Sequence, residues 1–133
     1  MINSNNLPKK PGFENLRIWK KAYELMLKIH EICKSLPREE KYRLVDQTER
    51  SSSSVVDAIA EGYSTYYFND KIKSFYLARR EAGESQSYLK KMEGMRYLDQ
   101  ERTSELVSEY EGLMRGINAF INEIKRQRDA KKS

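Results

Sequence analysis

Among 133 residues there are one cysteine, one histidine, three prolines and six glycines, and each scarcity excludes something. The single Cys33 cannot form an internal disulfide, which fits a reducing compartment. With His30 alone beside it, the chain offers neither a metal-ligand set nor the Glu-x-x-His pairs of a bundle di-metal centre. No glycine-rich phosphate loop occurs. So few glycines and prolines also argue against an all-β chain, which needs them at its many turns. No apolar run reaches the roughly 18 residues of a membrane span. The opening MINSNNLPKKPG lacks the apolar centre of a secretion signal. The expectation is a cytoplasmic, non-enzymatic protein with no cofactor, no metal, no small-molecule substrate and no membrane partner.

Charge, by contrast, is plentiful. Charged residues make up 34% of the chain, 25 basic against 20 acidic, for a net charge of +5. The isoelectric point is near 9.2 and the mean hydropathy is -0.85. Such polarity alone would suit a disordered chain, but the apolar residues recur at helical intervals, as they do in helices with wet outer faces. A chain of this length buries roughly two-thirds of its unfolded surface, enough for one domain with one core.

Four periodic segments are legible. In the first, about 15–36, Trp19, Ala22, Met26, Ile29 and Cys33 step by threes and fours beside a second stripe of Ile18, Leu25 and Ile32. Trp19 is expected in the core, and Cys33 buried and inert. Pro37 suits the start of a second helix, 38–62, with Glu39 and Glu40 in its favourable first turn. There Leu44, Val45, Thr48, Ser52, Val55, Val56 and Ile59 share one arc, and Gly62 is expected to close the helix in the left-handed conformation. A third segment, 69–96, capped by Asn69-Asp70, carries Phe75, Ala78, Ala82, Ser85, Leu89 and Met92 and breaks at Gly94. The fourth, 99–128, starts from Asp99 and repeats Leu106, Tyr110, Leu113, Ile117, Phe120 and Ile124. Helices of this length on short loops predict an all-α, antiparallel up-down four-helix bundle. It would occupy residues 13–128, between a loose leader, 1–12, and a basic tail, 129–133.

The second segment contains RSSSSVVDAIAEG, 50–62, whose serines admit a structural explanation. Small side chains let a neighbouring helix approach, and a helical serine can return its hydroxyl to a carbonyl one turn back. A nucleophile would need a base, and His30 bears no motif relation to these serines. Gln47, Arg50, Ser54, Ala58 and Glu61, spaced 3, 4, 4 and 3, form a mostly polar stripe on one narrow face expected well away from the apolar arc. Two readings are open for it: contact with another helix, with Arg50 and Glu61 ending a polar network, or a solvated outer face.

At this point the sequence resembles a known family. Gln47-x-x-Arg50-Ser51-x-x-Ser54-Val55-x-x-Ala58-Ile59-Ala60-Glu61-Gly62 is similar to the signature of the four-helix-bundle proteins encoded in intervening sequences of bacterial 23S ribosomal RNA genes. FENLRIWKKAYEL (13–25), LPREEKYRLVDQ (36–47), FYLARREAGESQSYL (75–89, with Glu84 at the usual acidic position) and MRYLD (95–99) agree with it. Two positions depart: Ala58 replaces the usual asparagine, and Arg80-Glu81 stand where Gly-Ser is common. The resemblance implies a small antiparallel bundle, a homo-oligomer (often a ring-like pentamer), and distant kinship to accessory proteins of diversity-generating retroelements. It implies no established enzymatic activity.

For function, basic residues cluster at Lys9 and Lys10, at Arg17, Lys20 and Lys21, at Arg79 and Arg80, at Lys90 and Lys91, and from Lys125 and Arg126 to Lys132. These are the candidate contacts to RNA or a ribonucleoprotein, by phosphate neutralisation without base-specific chemistry. The alternative is a protein–protein adaptor or assembly scaffold docking a partner enzyme, its positive charge serving steering or solubility. The loop GYSTYYFNDKIK, 62–73, places Tyr63, Tyr66, Tyr67 and Phe68 beside Lys71 and Lys73. Its rings either stack unpaired bases or cap the bundle core or a subunit contact.

Overall fold

The computed structural model describes residues 12–132, so the expected leader, Gly12 excepted, lies outside the described residues. Every regular element among them is helical. After a short 3-10 turn at Gly12–Asn15 come α1 (Arg17–Cys33), α2 (Asp46–Ser64), α3 (Phe68–Gly94) and α4 (Gln100–Lys132). Each helix packs on its chain neighbour, and α4 returns to α1, closing a four-membered ring around one core.

Paired residues give the direction of the helices. Along α3, Asn69, Tyr76, Arg79 and Gln86 bond in turn to Arg128, Lys125, Asn118 and Glu111 of α4. Numbers fall on one helix as they rise on the other, so these two run antiparallel. The same order holds between α2 and α3, where Lys71 bonds the Gly62 carbonyl and Ser51 bonds Ser85.

The periodic positions fill the core. Leu25, Ile29, Val55, Ile59, Phe75, Leu89, Met92, Leu106, Tyr110 and Ile117 are all fully buried. Each apolar side chain among them contributes roughly 1.5–3 kcal/mol relative to exposure. Trp19 is a correction: it is only half-buried on the rim, stacked on Tyr23 at 5.0 Å. Met26 and Ile32 also sit at the rim, because α1 buries the Ile18–Ala22–Leu25–Ile29–Cys33 stripe and leaves its flanks to the edge. Cys33 is buried, and burial, with Glu49 nearby, pushes its thiol up to about 12, which suppresses the reactive thiolate.

Three helix boundaries differ from the expectation. The second helix does not begin as regular α-structure at 38: a 3-10 turn at Arg38–Glu40 leads into a π-helical turn at Lys41–Val45. Thr48 donates to the Leu44 carbonyl at 2.6 Å as the ladder passes from that wide turn into α2. Gly62 does not close α2. The helix continues to Ser64, and no glycine among the described residues has a positive φ. Glycine is required there for another reason: a Cβ at Gly62 would stand 2.7 Å from the buried Phe75 ring, so only a bare backbone lets α3 approach. Finally, the expected tail is helical through Lys132. Glu123 binds Arg126 and Gln127, Arg128 reaches Asn69, and Lys131 stands over the Phe68 ring, so the last turns are tied to α3.

The caps divide as well. Asp99 accepts the Arg102 amide at 2.7 Å and starts α4 as its residue type suggests. Tyr67, not Asn69-Asp70, precedes α3, with no side-chain cap. Gly94 ends α3, and the following turn places Arg96 at φ 67.

Candidate nucleic-acid interface

The serine run behaves as its chemistry suggests. Ser51 and Ser52 return their hydroxyls to the carbonyls of Thr48 and Glu49, and Ser51 meets Ser85 of α3 at 2.8 Å. Ser85 bonds in turn to the Glu81 carbonyl. Buried hydroxyls therefore join α2 to α3 with few unpaired groups, which is how a polar layer is tolerated in a core. Tyr110 of α4 lies beside this layer, with its hydroxyl buried and unbonded among the described residues.

The polar stripe of α2 lies along the α2–α3 seam. Gln47, Arg50 and Ser54 line a groove of about 330 Å³ with Ser51, Glu81, Glu84 and Tyr88. Burial, then hydrogen bonding with Glu84, raises the Glu81 carboxyl above its ordinary value. Glu61 lines the next stretch of the seam with Lys73, Ser74, Tyr76, Leu77 and Arg80. Arg50 bonds Asp46 one turn back at 2.9 Å, so among the described residues no network joins Arg50 to Glu61. Ala58 and Gly62 are buried against α3 and are packing positions rather than contacts for a ligand.

The basic clusters divide among different parts of the bundle. Gly12 and Tyr63 touch, whereas Ile18 meets Gly116 midway along α4, and Arg17 and Lys21 line a groove between α1 and α4 with Ser108 and Glu109. Arg79, Arg80, Lys125 and Arg126 lie on the halves of α3 and α4 nearer the α2–α3 loop, while Arg17, Lys20 and Lys21 lie on α1. Lys90 and Lys91 lie near the far end of α3 and are separate from the others. These residues are not equally available. Lys21 is held by Glu109 at 2.6 Å, and Arg126 by Glu123 at 2.6 Å. Arg126 and Gln127 hold the exposed Glu123 carboxyl down at about 2. Arg17 and Lys20 make no ion pair among the described residues, and Arg80 has only Glu81, at 3.8 Å.

One surface stands out by its lack of acids. From Lys71 to Arg80 on α3, and from Gly112 to Asn122 on α4, no acidic residue occurs. Along the seam between these helices, Arg128 bonds Asn69, Lys125 bonds the Tyr76 hydroxyl at 2.8 Å, and Arg79 bonds Asn118 at 2.8 Å. Arg79 and Lys125 also flank the Tyr76 ring at 5.7 and 5.3 Å. The Lys125 hydrogen bond holds the phenol below its usual value. None of these partners is anionic, so the positive charge of Arg79, Lys125 and Arg128 is oriented along the seam but not neutralised there (Arg128 has Asp129 beside it at 3.0 Å). The arrangement can hold a row of phosphates beside an exposed ring.

Reasoning from sequence missed Tyr76, Asn69 and Asn118 as parts of this surface, while Arg128 fell inside the basic cluster 125–132. The usable signal was the absence of Asp and Glu over 71–80 and 112–122, a gap in two segments that only their pairing brings together. Lys71 is a different case, because its ammonium bonds the carbonyls of Gly62 and Tyr63 at 3.2 and 2.9 Å. It closes the end of α2, and burial lowers its pKa.

No helix among the described residues is long and apolar enough to cross a membrane, and none of their His, Cys, Asp and Glu side chains forms a metal-binding group. Among curated proteins, none matches the chain. A crystal structure from Bacteroides thetaiotaomicron, of a protein with unknown function from the S23 ribosomal protein family, shares the fold at a TM-score of 0.73. It is 22% identical, over 79% of this chain and 95% of that one. The profile of the 23S rRNA-intervening sequence proteins matches residues 14–119, which take in α1, α2, α3 and the first part of α4, while Lys125, Arg128 and Lys131 lie beyond it. With most of its length matched, the chain belongs to the 23S rRNA-intervening sequence protein family.

Proposed function

We propose that the protein is a non-catalytic binding module for RNA, or for a ribonucleoprotein, working in the cytoplasm through the cationic half of its bundle. The observation that carries this reading is the acid-poor α3–α4 seam, where Arg79 and Lys125 are held by the neutral Asn118 and Tyr76 and Arg128 is shared between Asn69 and Asp129. Cations oriented in advance lose less side-chain freedom on meeting phosphate. Lys90 and Lys91 stand apart and contribute little. Neither a cofactor nor a metal enters this mechanism.

A titration of labelled structured RNA at 50 and 200 mM salt tests it. Neutralising about four phosphates predicts an affinity loss on the order of a hundredfold between the two salt concentrations. The triple variant R79E/K125E/R128E should abolish binding, while K90E/K91E should leave it within about twofold. Binding that survives the triple variant, or that ignores salt, overturns the proposal.

A second reading concerns assembly. Tyr23 and Leu27 are exposed on α1 beside half-buried Trp19 and Met26, an apolar strip that the bundle itself does not cover. A homo-oligomer, with the pentamer expected from the family resemblance, would bury that strip and repeat the cationic pole around a ring. A protein adaptor would use the same strip. Light scattering on the wild type and on Leu27→Glu distinguishes them: a ring that falls to monomer supports self-assembly, and a monomeric wild type removes it.

A further inference from the structure

We infer that Tyr66 and Tyr67 form a stacking platform for unpaired nucleobases, so that the nucleic acid held by the cationic half is single-stranded where it meets the α2–α3 loop. This inference rests on the RNA-binding reading above and adds to it the class of strand. It begins from exposure. Tyr66 is 85% and Tyr67 67% exposed, although both are large rings beside a bundle core. Other rings fill the positions beneath the loop. Phe75 and Phe120 meet at 4.8 Å within that end, and Phe68 is covered by Lys131. Capping of the core, one of the two readings open from the sequence, is therefore not their role.

The platform is also held rigidly. Its linker is only three residues, Thr65 to Tyr67, between α2 and α3. The Thr65 amide and hydroxyl both donate to the Glu61 carbonyl, at 2.9 and 2.7 Å, and Lys71 clamps the last carbonyls of α2 from the other side. The two rings stand edge to face, their centroids 5.1 Å apart and their planes at 88°, so each keeps a free face at its own angle. A mobile loop would have to be ordered on binding, whereas this one is ordered already.

The surrounding charge selects the occupant. Asn69, the second residue of α3, is bonded to Arg128, and Lys131 stands over the neighbouring Phe68 ring, so a backbone leaving the platform enters the cationic seam directly. From Tyr67 to Arg79 is twelve helical steps, or about 18 Å. At about 3.4 Å per stacked nucleotide this accommodates roughly five nucleotides, within the usual range for single-strand sites. A duplex hides its base faces in its own stack and offers the two rings nothing to cover, whereas splayed bases do. A membrane surface is disfavoured by the lack of aliphatic residues at the loop tip.

Fluorescence anisotropy on the full chain tests the inference, with a labelled eight-nucleotide oligouridylate and a blunt RNA duplex of equal length as probes. The wild type should bind the single strand at least tenfold tighter than the duplex, since each stacked base is worth roughly five- to a hundredfold. Y66A/Y67A should erase that preference, while Y66F/Y67F, which keeps the rings, should retain it. Both variants change exposed side chains, and a thermal melt verifies that they fold. If single strand and duplex bind equally and Y66A/Y67A changes neither, the inference fails. The cationic seam still stands in that event, provided R79E/K125E/R128E loses both probes. If the wild type binds neither probe, both readings fail. Tyrosine-dependent binding to vesicles containing phosphatidylserine, with no preference for the single strand, also overturns the inference.

Discussion

The α3–α4 hairpin has two halves of one construction and opposite surfaces. In the half nearer the α2–α3 loop, Phe75, Ala78 and Ile117 are buried, and the seam above them carries Arg79, Lys125 and Arg128. In the other half, Leu89, Met92, Leu106 and Tyr110 are buried in the same way. Between residues 81 and 111, however, the surface carries Glu81, Glu84, Glu93, Asp99, Glu101, Glu105, Glu109 and Glu111. There Gln86 bonds Glu111, and Lys21 and Lys28 converge on Glu109. Packing energy does not distinguish the halves; surface charge does. A helical bundle thus keeps its fold while its outer faces diverge, and the functional difference lies in those faces.

The largest effect should come from reversing charge in one half only. R79E/K125E/R128E is expected to lower RNA affinity more than a hundredfold with the melting temperature almost unchanged, whereas K90E/K91E changes neither, as anisotropy and circular dichroism would show. Equal losses from the two variants would erase the comparison.

Next in size is the contrast between two glycines of similar helical setting. At Gly62→Val the new side chain meets the buried Phe75 ring, and destabilisation of about 2 kcal/mol is expected in urea titration. Gly94→Ala has open space around it and should be neutral or stabilising by up to about 1 kcal/mol. Smaller still is the buried hydroxyl layer. Tyr110→Phe removes a buried hydroxyl that has at most Ser85 beside it and should change stability by less than about 1 kcal/mol, while Ser51→Ala, which breaks a bonded pair, should destabilise by roughly 1 kcal/mol.

The smallest effect belongs to Glu109→Gln. Burial pushes the Glu109 carboxyl up, but hydrogen bonds from Lys21 and Lys28 outweigh it and hold the group below its ordinary value. A lowered folded-state pKa stabilises above the ordinary carboxylate range and loses that contribution as pH falls through the folded value. The variant should therefore melt slightly earlier at pH 7, by the equivalent of about 0.5–1 kcal/mol for a partly exposed pair. The two proteins should converge near pH 3, as a pH series of thermal melts would reveal.

The sequence already displayed much of the fold. Apolar spacing identified most of the buried positions of the four helices, and Asp99 marked the start of α4. Trp19, Met26, Ile32 and Phe120 nevertheless lie at the rim, and Ile72, Thr103 and Ile121 are buried outside the expected stripes. Errors fell where a local signal has two physical causes. Gly62 looks the same whether it supplies a positive φ or makes room for Phe75, and only the neighbouring helix tells which. Lys125–Lys132 reads as a fraying tail unless Asn69 and Phe68 stand beside it. Of the candidate contacts, Arg79 and Lys125 joined one seam with Arg80 and Arg126 next to them in the chain, Arg17, Lys20 and Lys21 stayed on α1, and Lys90 and Lys91 went elsewhere.

What the sequence by itself determined is which residues are buried, because burial follows the 3.6-residue period along a single helix and needs no knowledge of its partners. What only the tertiary structure decided is which charges become neighbours. That depends on the direction and register of α3 against α4, and the register is set by packing in the core, at positions such as Gly62, Phe75 and Phe120, not by the surface residues that it brings together.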